Sequence, residues 1–129
     1  MNYIELDEVD STNEYVKRNI DKLPDFSVVR CNHQTTGHGR NGHIWESQKG
    51  QDLLMSILIK EFKNPQDLYK LAQIASCSVV ELLDRYGIEG KIKWPNDIYV
   101  DDLKICGILV EALHQDESDA VVIGIGLNV

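Results

Sequence analysis

Residues 37–42, GHGRNG, combine closely spaced glycines with cationic side chains. Glycine lets backbone N–H groups approach an anion closely, and the Arg40 guanidinium can bind phosphate or carboxylate through two hydrogen bonds. Arg30 and Lys49 flank the segment, and three of the four histidines of the chain lie in or beside it. Glu46 is the single acid among these residues. The pattern indicates an anion-binding loop, and its structural alternative is a flexible surface loop.

Two other interpretations of this loop are disfavoured. GHGRNG matches the pattern G-x-G-x-x-G, but dinucleotide binding requires the last glycine to open a helix. The residues that follow, HIWESQKGQDLLMSI, have no helical period and lead into an apolar run typical of a strand. His33, His38 and His43 lie five residues apart, a spacing that matches no common metal-ligand pattern. We therefore expect neither a Rossmann fold nor a histidine metal site here.

The segment KIKWPNDIYVDDLKICGILVE, from Lys91 to Glu111, also contains residues that could take part in catalysis or ligand binding. Most of it is typical of strands, yet it contains Asn96 and Asp97 and a single lysine, Lys104, among apolar neighbours. Taken singly, the Asn-Asp pair fits a turn and the lysine fits a solvated residue at a hairpin. Their presence together needs a reason from elsewhere in the sequence.

Composition limits the class of protein. The chain has 129 residues, 43% of them hydrophobic, and a formal net charge of −8. Its length fits one domain, and its charge disfavours nucleic-acid binding through a basic face. The sequence contains neither a signal-peptide pattern nor an apolar run near the roughly 18 residues of a membrane span. Cys31, Cys77 and Cys106 lack C-x-x-C spacing, which indicates reduced thiols in a cytosol.

Two helices are predicted. The first covers 11–23, where Ser11 and Glu14 form a capping box. In the second, apolar residues recur at helical spacing from Leu68 to Tyr86. Its start is predicted at an Asn64 N-cap followed by Pro65, and its end at Gly87.

Strands are predicted over 3–9, 26–32, 52–60, 91–94, 97–101, 104–113 and 120–128. The turns between the last three fall at Asp101-Asp102 and at 115–119. The expected fold class is α+β, a mostly antiparallel sheet with helices packed on it.

Four motifs, in order along the chain, resemble those of biotin protein ligases. DSTNE (10–14) resembles the early D-S-T-N segment of that family, and QTTGHGRNGHIWES (34–47) resembles its Q-x-x-G-R-G-R-x-G-R-x-W-x-S biotin loop. KWPND, followed by a lysine and GILVE, resembles its signature, and GIGLNV (124–129) resembles its adenine-binding strand. The resemblance covers nearly the whole chain and implies a fold related to class II aminoacyl-tRNA synthetases and lipoate ligases.

The implied activity has two steps. Biotin and ATP, with Mg²⁺, give biotinoyl-5′-AMP and pyrophosphate, and the biotinoyl group then acylates a lysine of a biotin carboxyl carrier domain. The charge, the hydropathy and the cysteine pattern favour a cytoplasmic protein that binds neither nucleic acid nor membrane. The resemblance is compatible with a homodimer formed through sheet edges. Alternatives are a lipoate or octanoate ligase of the same fold, or a catalytically inactive fragment that binds ligand.

The resemblance assigns roles to individual residues. Lys104 is placed between the biotin carboxylate and the α-phosphate, Arg40 supplies a second positive charge, and Asp97 holds Mg²⁺; these three are the catalytic candidates. The implied biotin-binding residues are Ser11, Thr12, Asn13, Gln34, Gly37, Gly39, Arg40, Trp45, Lys104 and Gly107. The implied ATP- and adenylate-binding residues are Arg40, Trp45, Lys93, Asn96, Lys104 and Asn128.

The sequence departs from the family pattern in two respects. His38, Asn41 and His43 stand where the family loop carries arginine. Because histidine loses its charge near neutral pH and arginine does not, a weaker hold on the adenylate is expected at neutral pH. Residues 1–129 are also expected to be a catalytic domain incomplete at its C-terminal end, without the N-terminal DNA-binding domain or the C-terminal β-barrel domain of some relatives.

Overall fold

The computed structural model describes residues 1–115 and 118–129. Within these ranges seven strands form one sheet and two α-helices pack on it. The strands are β1 (Tyr3–Val9), β2 (Val28–Gln34), β3 (Leu53–Ile59), β4 (Lys91–Lys93), β5 (Asp97–Val100), β6 (Leu103–Gln115) and β7 (Ser118–Leu127). The helices are α1 (Thr12–Arg18) and α2 (Leu68–Arg85), with 3₁₀ turns at Arg40–Gly42 and Pro65–Asp67.

The sheet has the order β1-β2-β3-β7-β6-β5-β4. Only the β1–β2 pair is parallel among these neighbours, so the predicted mostly antiparallel α+β fold is confirmed. β6 and β7 pair over ten residues at the centre and form a hairpin. The turn predicted at 115–119 falls partly on residues 116–117, which lie outside the described residues.

The two helices lie on opposite faces of the sheet. Val121 and Ile123 of β7 belong to the core cluster that includes α2, whereas Ala120 and Val122 belong to the cluster that includes α1. Because successive strand residues point to opposite faces, this alternation places one helix on each side. Among the described residues, no helix is both long and apolar enough to span a membrane.

The first helix is shorter than the sequence predicts. It ends at Arg18, because Asn19 leaves the helical conformation and its side-chain Nδ2 donates to Tyr15 O at 2.8 Å. At the other end, Ser11 Oγ accepts the Glu14 N–H at 3.3 Å, which is half of the predicted capping box. The other half is absent because Ser11 N–H donates to Asp10 Oδ1 at 2.8 Å.

Two other predicted boundaries are displaced. The strand predicted at 26–32 begins at Val28, because Phe26 has a φ of 58° and cannot extend a strand. The long helix begins at Leu68 after a 3₁₀ turn, not at the predicted Asn64 cap. Its predicted end is confirmed, since Gly87 has a φ of 74° and its N–H bonds Asp84 O at 3.0 Å.

The three cysteines are free, as predicted, and they differ in burial. Burial raises the pKa of Cys106 to about 12 and that of Cys31 to about 11, whereas Cys77 is exposed on α2. Because the thiolate is the nucleophile, we expect a thiol reagent at pH 8 to label one site, Cys77, in the folded protein and all three after denaturation.

Mass spectrometry of the labelled chain checks this prediction. The variant Cys77→Ser serves as the control and should remain unlabelled until denaturant is added. Rapid labelling of Cys31 in the folded variant would contradict the burial of β2.

Candidate active site

An open cavity of about 550 Å³ lies on the α1 face of the sheet, above the centre of β6 and β7. Its walls come from four parts of the chain: the start of α1, the loop after β2, the β5–β6 hairpin and the end of β7. The lining residues from the predicted site are Ser11, Thr12, Asn13, Gln34, Gly39, Arg40, Trp45, Asn96, Asp97, Lys104, Gly107 and Asn128. The fold therefore brings together residues that are up to 117 positions apart, from Ser11 to Asn128.

Glycines of two paired strands form the floor of the cavity. Gly107 of β6 is the register partner of Gly126 of β7. A Cβ at Gly126 would lie 2.6 Å from Trp45 Nε1, and one at Gly107 would lie 3.0 Å from Trp45 Cζ3. Both glycines therefore leave room for the Trp45 ring to approach the sheet closely.

The loop predicted to bind anions arches over this floor. His38 pairs with Ile44 in an isolated β-bridge, and Trp45 N–H donates to Gly37 O at 2.9 Å. These contacts close the loop at its base and leave Arg40 at its exposed tip, in a 3₁₀ turn. The arch brings Arg40, His38 and His43 to the cavity, so one guanidinium and two imidazoles line this part of its wall.

A β-bulge brings Lys104 to the cavity. The register pairs here are Asp97–Gly107, Ile98–Cys106 and Tyr99–Lys104, which leave Ile105 without a partner on β5. Strict alternation would put Lys104 on the face opposite Gly107. The extra residue reverses the alternation, so that Lys104 shares the cavity face with Gly107.

Lys104 and Asp97 form a half-exposed ion pair beside the Trp45 ring. Lys104 Nζ lies 3.0 Å from Asp97 Oδ1 and 5.5 Å from the centroid of the Trp45 ring. The carboxylate and the π-face fix the ammonium in place while leaving its remaining N–H donors available. This arrangement can hold a cation opposite an anionic ligand without a covalent step.

Asn96 adds an unsatisfied acceptor to the same end of the cavity. Its Nδ2 donates to Ile108 O across the β5–β6 hairpin, and its backbone O accepts from Ile108 N–H at 3.1 Å. Its Oδ1 is buried and has no hydrogen-bond partner within residues 1–115 and 118–129. A buried orphan acceptor in a cavity wall indicates a ligand group or a cation that completes it.

Another part of the cavity wall is neutral and polar. Gln34 Oε1 accepts from Thr12 N–H at 2.8 Å and from Thr12 Oγ1 at 3.2 Å. Ser11 Oγ accepts the Glu14 N–H, which leaves its own proton free to donate. Hydroxyl and amide groups of this kind suit a neutral polar ligand group such as a cyclic urea.

Two predicted residues do not line the cavity. Gly37 lies behind Gln34, where a Cβ would come within 2.7 Å of Gln34 Nε2, so it contributes space for that side chain. Lys93 lies on β4 with its Nζ 5.2 Å from the centroid of the Tyr99 ring, and the predicted phosphate contact finds no support in this position.

Other cavity residues were not predicted from the sequence. Met55, Leu109 and Gly124 line the cavity, and only the GIGLNV motif, which contains Gly124, could have indicated one of them. Ser56 on β3 has no exposed surface and bonds Thr12 and Asn13 from behind. A buried serine within an apolar strand was the available signal for it.

The family of the protein follows from comparison with known proteins. The model of the Biotin/lipoate A/B protein ligase family matches residues 5–128, and the chain belongs to this family. The Bifunctional ligase/repressor BirA of Bacillus subtilis is 37% identical over 108 residues, which are 82% of this chain and 33% of that protein. The family predicted from the four motifs is confirmed.

Solved structures resemble the whole described fold. The biotin protein ligase from Aquifex aeolicus, in complex with biotin and ATP, matches with a TM-score of 0.85 and 36% identity over 99% of this chain and 52% of that chain. The biotin acetyl coenzyme A carboxylase synthetase from Helicobacter pylori, with bound biotinylated ATP, matches with a TM-score of 0.78 and 29% identity over 99% of this chain and 61% of that one. The chain thus spans from a third to about six-tenths of these relatives.

Proposed function

We propose that residues 1–129 are the catalytic part of an ATP-dependent biotin protein ligase. The observation that carries this proposal is that one cavity is lined both by the cationic Lys104 and Arg40 and by the neutral polar Ser11, Thr12 and Gln34. Biotin has a neutral ureido ring at one end and a carboxylate at the other. The cavity offers a complementary group to each end.

The first proposed step joins two anions. A carboxylate oxygen of biotin attacks the α-phosphorus of ATP, the bond to the bridging oxygen of the β-phosphate breaks, and pyrophosphate leaves with that electron pair. Fixed positive charge reduces the repulsion between the reactants and stabilises charge in the transition state. Lys104, held by Asp97 and Trp45, supplies one such charge, and Arg40 on the loop supplies the second.

The second proposed step consumes the mixed anhydride. The neutral amine of an acceptor lysine attacks the biotinoyl carbonyl carbon, the bond to the AMP oxygen breaks, and the amine loses its proton as the amide forms. The proposed acceptor is a biotin carboxyl carrier domain, and the proposed location is the cytoplasm. The free thiols Cys31, Cys77 and Cys106 support a reducing compartment.

Magnesium is part of the proposal, and the donor set fits it. Asp97 and Asn96 both line the cavity and both offer oxygen atoms, the donors that Mg²⁺ prefers. Asn96 Oδ1 is also a buried acceptor without a partner among the described residues. When bound, Mg²⁺ would neutralise charge on the ATP phosphates.

A change at Asp97 tests this placement. Asp97→Asn keeps the shape and removes the charge, so the Mg²⁺ concentration for half-maximal pyrophosphate exchange should rise severalfold. Titration of wild type and variant with Mg²⁺ at saturating biotin measures it. Superimposable titrations would assign Asp97 to the ion pair with Lys104 alone.

Biotin binding and ATP–pyrophosphate exchange together test the proposed function. Calorimetry with biotin should show binding, and ATP–pyrophosphate exchange should depend on added biotin. Labelling of a carrier domain with biotin and with lipoate, in parallel, distinguishes the two branches of the family. Binding without exchange would indicate a ligand-binding fragment, and lipoate transfer in place of biotin would contradict the proposed substrate.

A further inference from the structure

A chain of hydrogen bonds connects Glu111 to the cavity wall. Asn13 Nδ2 donates to Glu111 Oε2 at 2.9 Å, and Asn13 Oδ1 accepts from the Ser56 hydroxyl. Ser56 Oγ lies 2.7 Å from Thr12 Oγ1, and Thr12 also contacts Gln34. Thr12, Asn13 and Ser56 are all at most 4% exposed, so each unmade hydrogen bond in this chain would be costly.

The strand and helix fix Glu111 at the outer end of this chain. Glu111 follows Gly107 and Leu109 on the cavity face of β6, one step beyond the lining residues. Its Oε1 lies 2.9 Å from Lys17 Nζ, which also lies 2.9 Å from Glu14 Oε1. Partial burial lowers the pKa of Lys17, but the hydrogen bonds to Glu14 and Glu111 outweigh this effect, and the pKa is raised. Lys17 therefore forms an ion pair with Glu111 beside α1.

An ionised carboxylate sets the direction of every bond that follows. Because Glu111 can only accept, Asn13 must turn its NH₂ toward it and its Oδ1 toward Ser56. The single Ser56 proton then goes to Asn13 Oδ1, which has no proton of its own to offer. The contact between the two hydroxyls must therefore use the Thr12 proton, which is shared between Ser56 Oγ at 2.7 Å and Gln34 Oε1 at 3.2 Å. Thr12 Oγ1 is left with acceptor lone pairs on its remaining side.

We propose that Glu111 is a positioning residue that makes the Thr12 hydroxyl a hydrogen-bond acceptor toward the cavity. A wall polarised in this way favours a ligand that places an N–H group at Thr12 and disfavours one that places an acceptor there. That this N–H belongs to the ureido ring of biotin rests on the proposed function. Glu111 itself touches no ligand and acts only through Asn13 and Ser56.

Isosteric removal of the charge tests the proposal. In Glu111→Gln the side chain can present either an oxygen or an NH₂ to Asn13, so the direction of the chain is no longer fixed. We expect the Kd for biotin to rise roughly tenfold, the order expected for a lost charge-assisted hydrogen bond. In pyrophosphate exchange the KM for biotin should rise while the KM for ATP and kcat stay unchanged. Ser56→Ala, which interrupts the chain further along, should reproduce this pattern.

The matched control is Glu8→Gln, the same change at an exposed position on β1. It should leave the Kd and both KM values at the wild-type level. Unchanged biotin affinity in Glu111→Gln, or equal changes in the KM for biotin and for ATP, would overturn the proposal. An effect in Glu111→Gln that Ser56→Ala lacks would also overturn it, since the charge would then act directly.

A ligand-independent measurement separates this proposal from the proposed function. The side-chain NH₂ resonances of Asn13, followed by NMR, should shift in Glu111→Gln and Ser56→Ala but not in Glu8→Gln. If wild type fails to bind biotin and these shifts occur, the proposed function fails and the positioning role stands. If the Asn13 resonances are the same in all four proteins, the positioning role is wrong whatever the ligand.

Discussion

Replacing Lys104 with alanine should slow formation of the acyl-adenylate by about 100-fold or more. This is the magnitude expected when one preorganised charge is removed from a site where negative charge must be stabilised. The loss should fall on kcat of biotin-dependent pyrophosphate exchange. Biotin affinity should change less, because the polar wall at Ser11, Thr12 and Gln34 is untouched.

Two comparisons make the Lys104 experiment specific. Lys22→Ala removes the same side chain from an exposed position after α1 and should leave exchange unchanged. Lys104→Arg keeps the charge but replaces a compact ammonium with a larger planar guanidinium, so partial activity is expected. Exchange at the wild-type rate in Lys104→Ala would remove this residue from the proposed mechanism, whatever its place beside Asp97.

The second large effect is expected on stability, at Gly124. A Cβ there would lie 2.5 Å from Asn13 Oδ1 and 3.0 Å from Asn13 Cγ. Asn13 cannot move aside, because it is buried between Ser56 and Glu111. Gly124→Ala should therefore destabilise the protein by about 2 kcal/mol, within the range for overpacking. For a domain of this size that corresponds to a fall in Tm of roughly 5–10 °C.

Gly39→Ala is the matched control for stability. Its Cβ would meet nothing closer than 3.8 Å, and its φ of −109° is accessible to alanine. Thermal unfolding followed by circular dichroism should show a Tm near that of wild type for Gly39→Ala. Equal Tm values for the two variants would mean that the Asn13 side chain is free to leave its hydrogen bonds.

Motif order along the chain was sufficient to predict the family and most of the cavity. DSTNE, the glycine loop, KWPND and GIGLNV each admit a structural explanation, but an ordered set of four restricts the interpretation. Local sequence patterns likewise predicted both helices and all seven described strands, with boundaries within a few residues except at the end of the first helix. These successes share a cause, since periodicity and local motifs are properties of adjacent residues.

The failures lie where local and distant contacts compete. The capping box is incomplete because Asp10, held by Arg18 through bonds of 2.7 and 2.8 Å, takes the N–H that Glu14 would have accepted. Lys93 was assigned to the nucleotide by its position in a motif; its Nζ lies 5.2 Å from the centroid of the Tyr99 ring, and its nucleotide contact stays a prediction. Which of two available partners a side chain takes depends on distances that a sequence does not contain.

By itself, the sequence determined the family, the α+β fold class and the residue types that line the cavity. The tertiary structure alone decided which face of the sheet those residues share. Lys104 reaches the cavity because a single unpaired residue, Ile105, reverses the alternation of β6, and no local pattern marks that bulge. The floor likewise depends on register, because Gly107 and Gly126 accommodate the Trp45 ring only when their strands pair as they do. Register and bulges follow from the packing of the whole sheet, and this is the physical reason that they could not be predicted from the sequence.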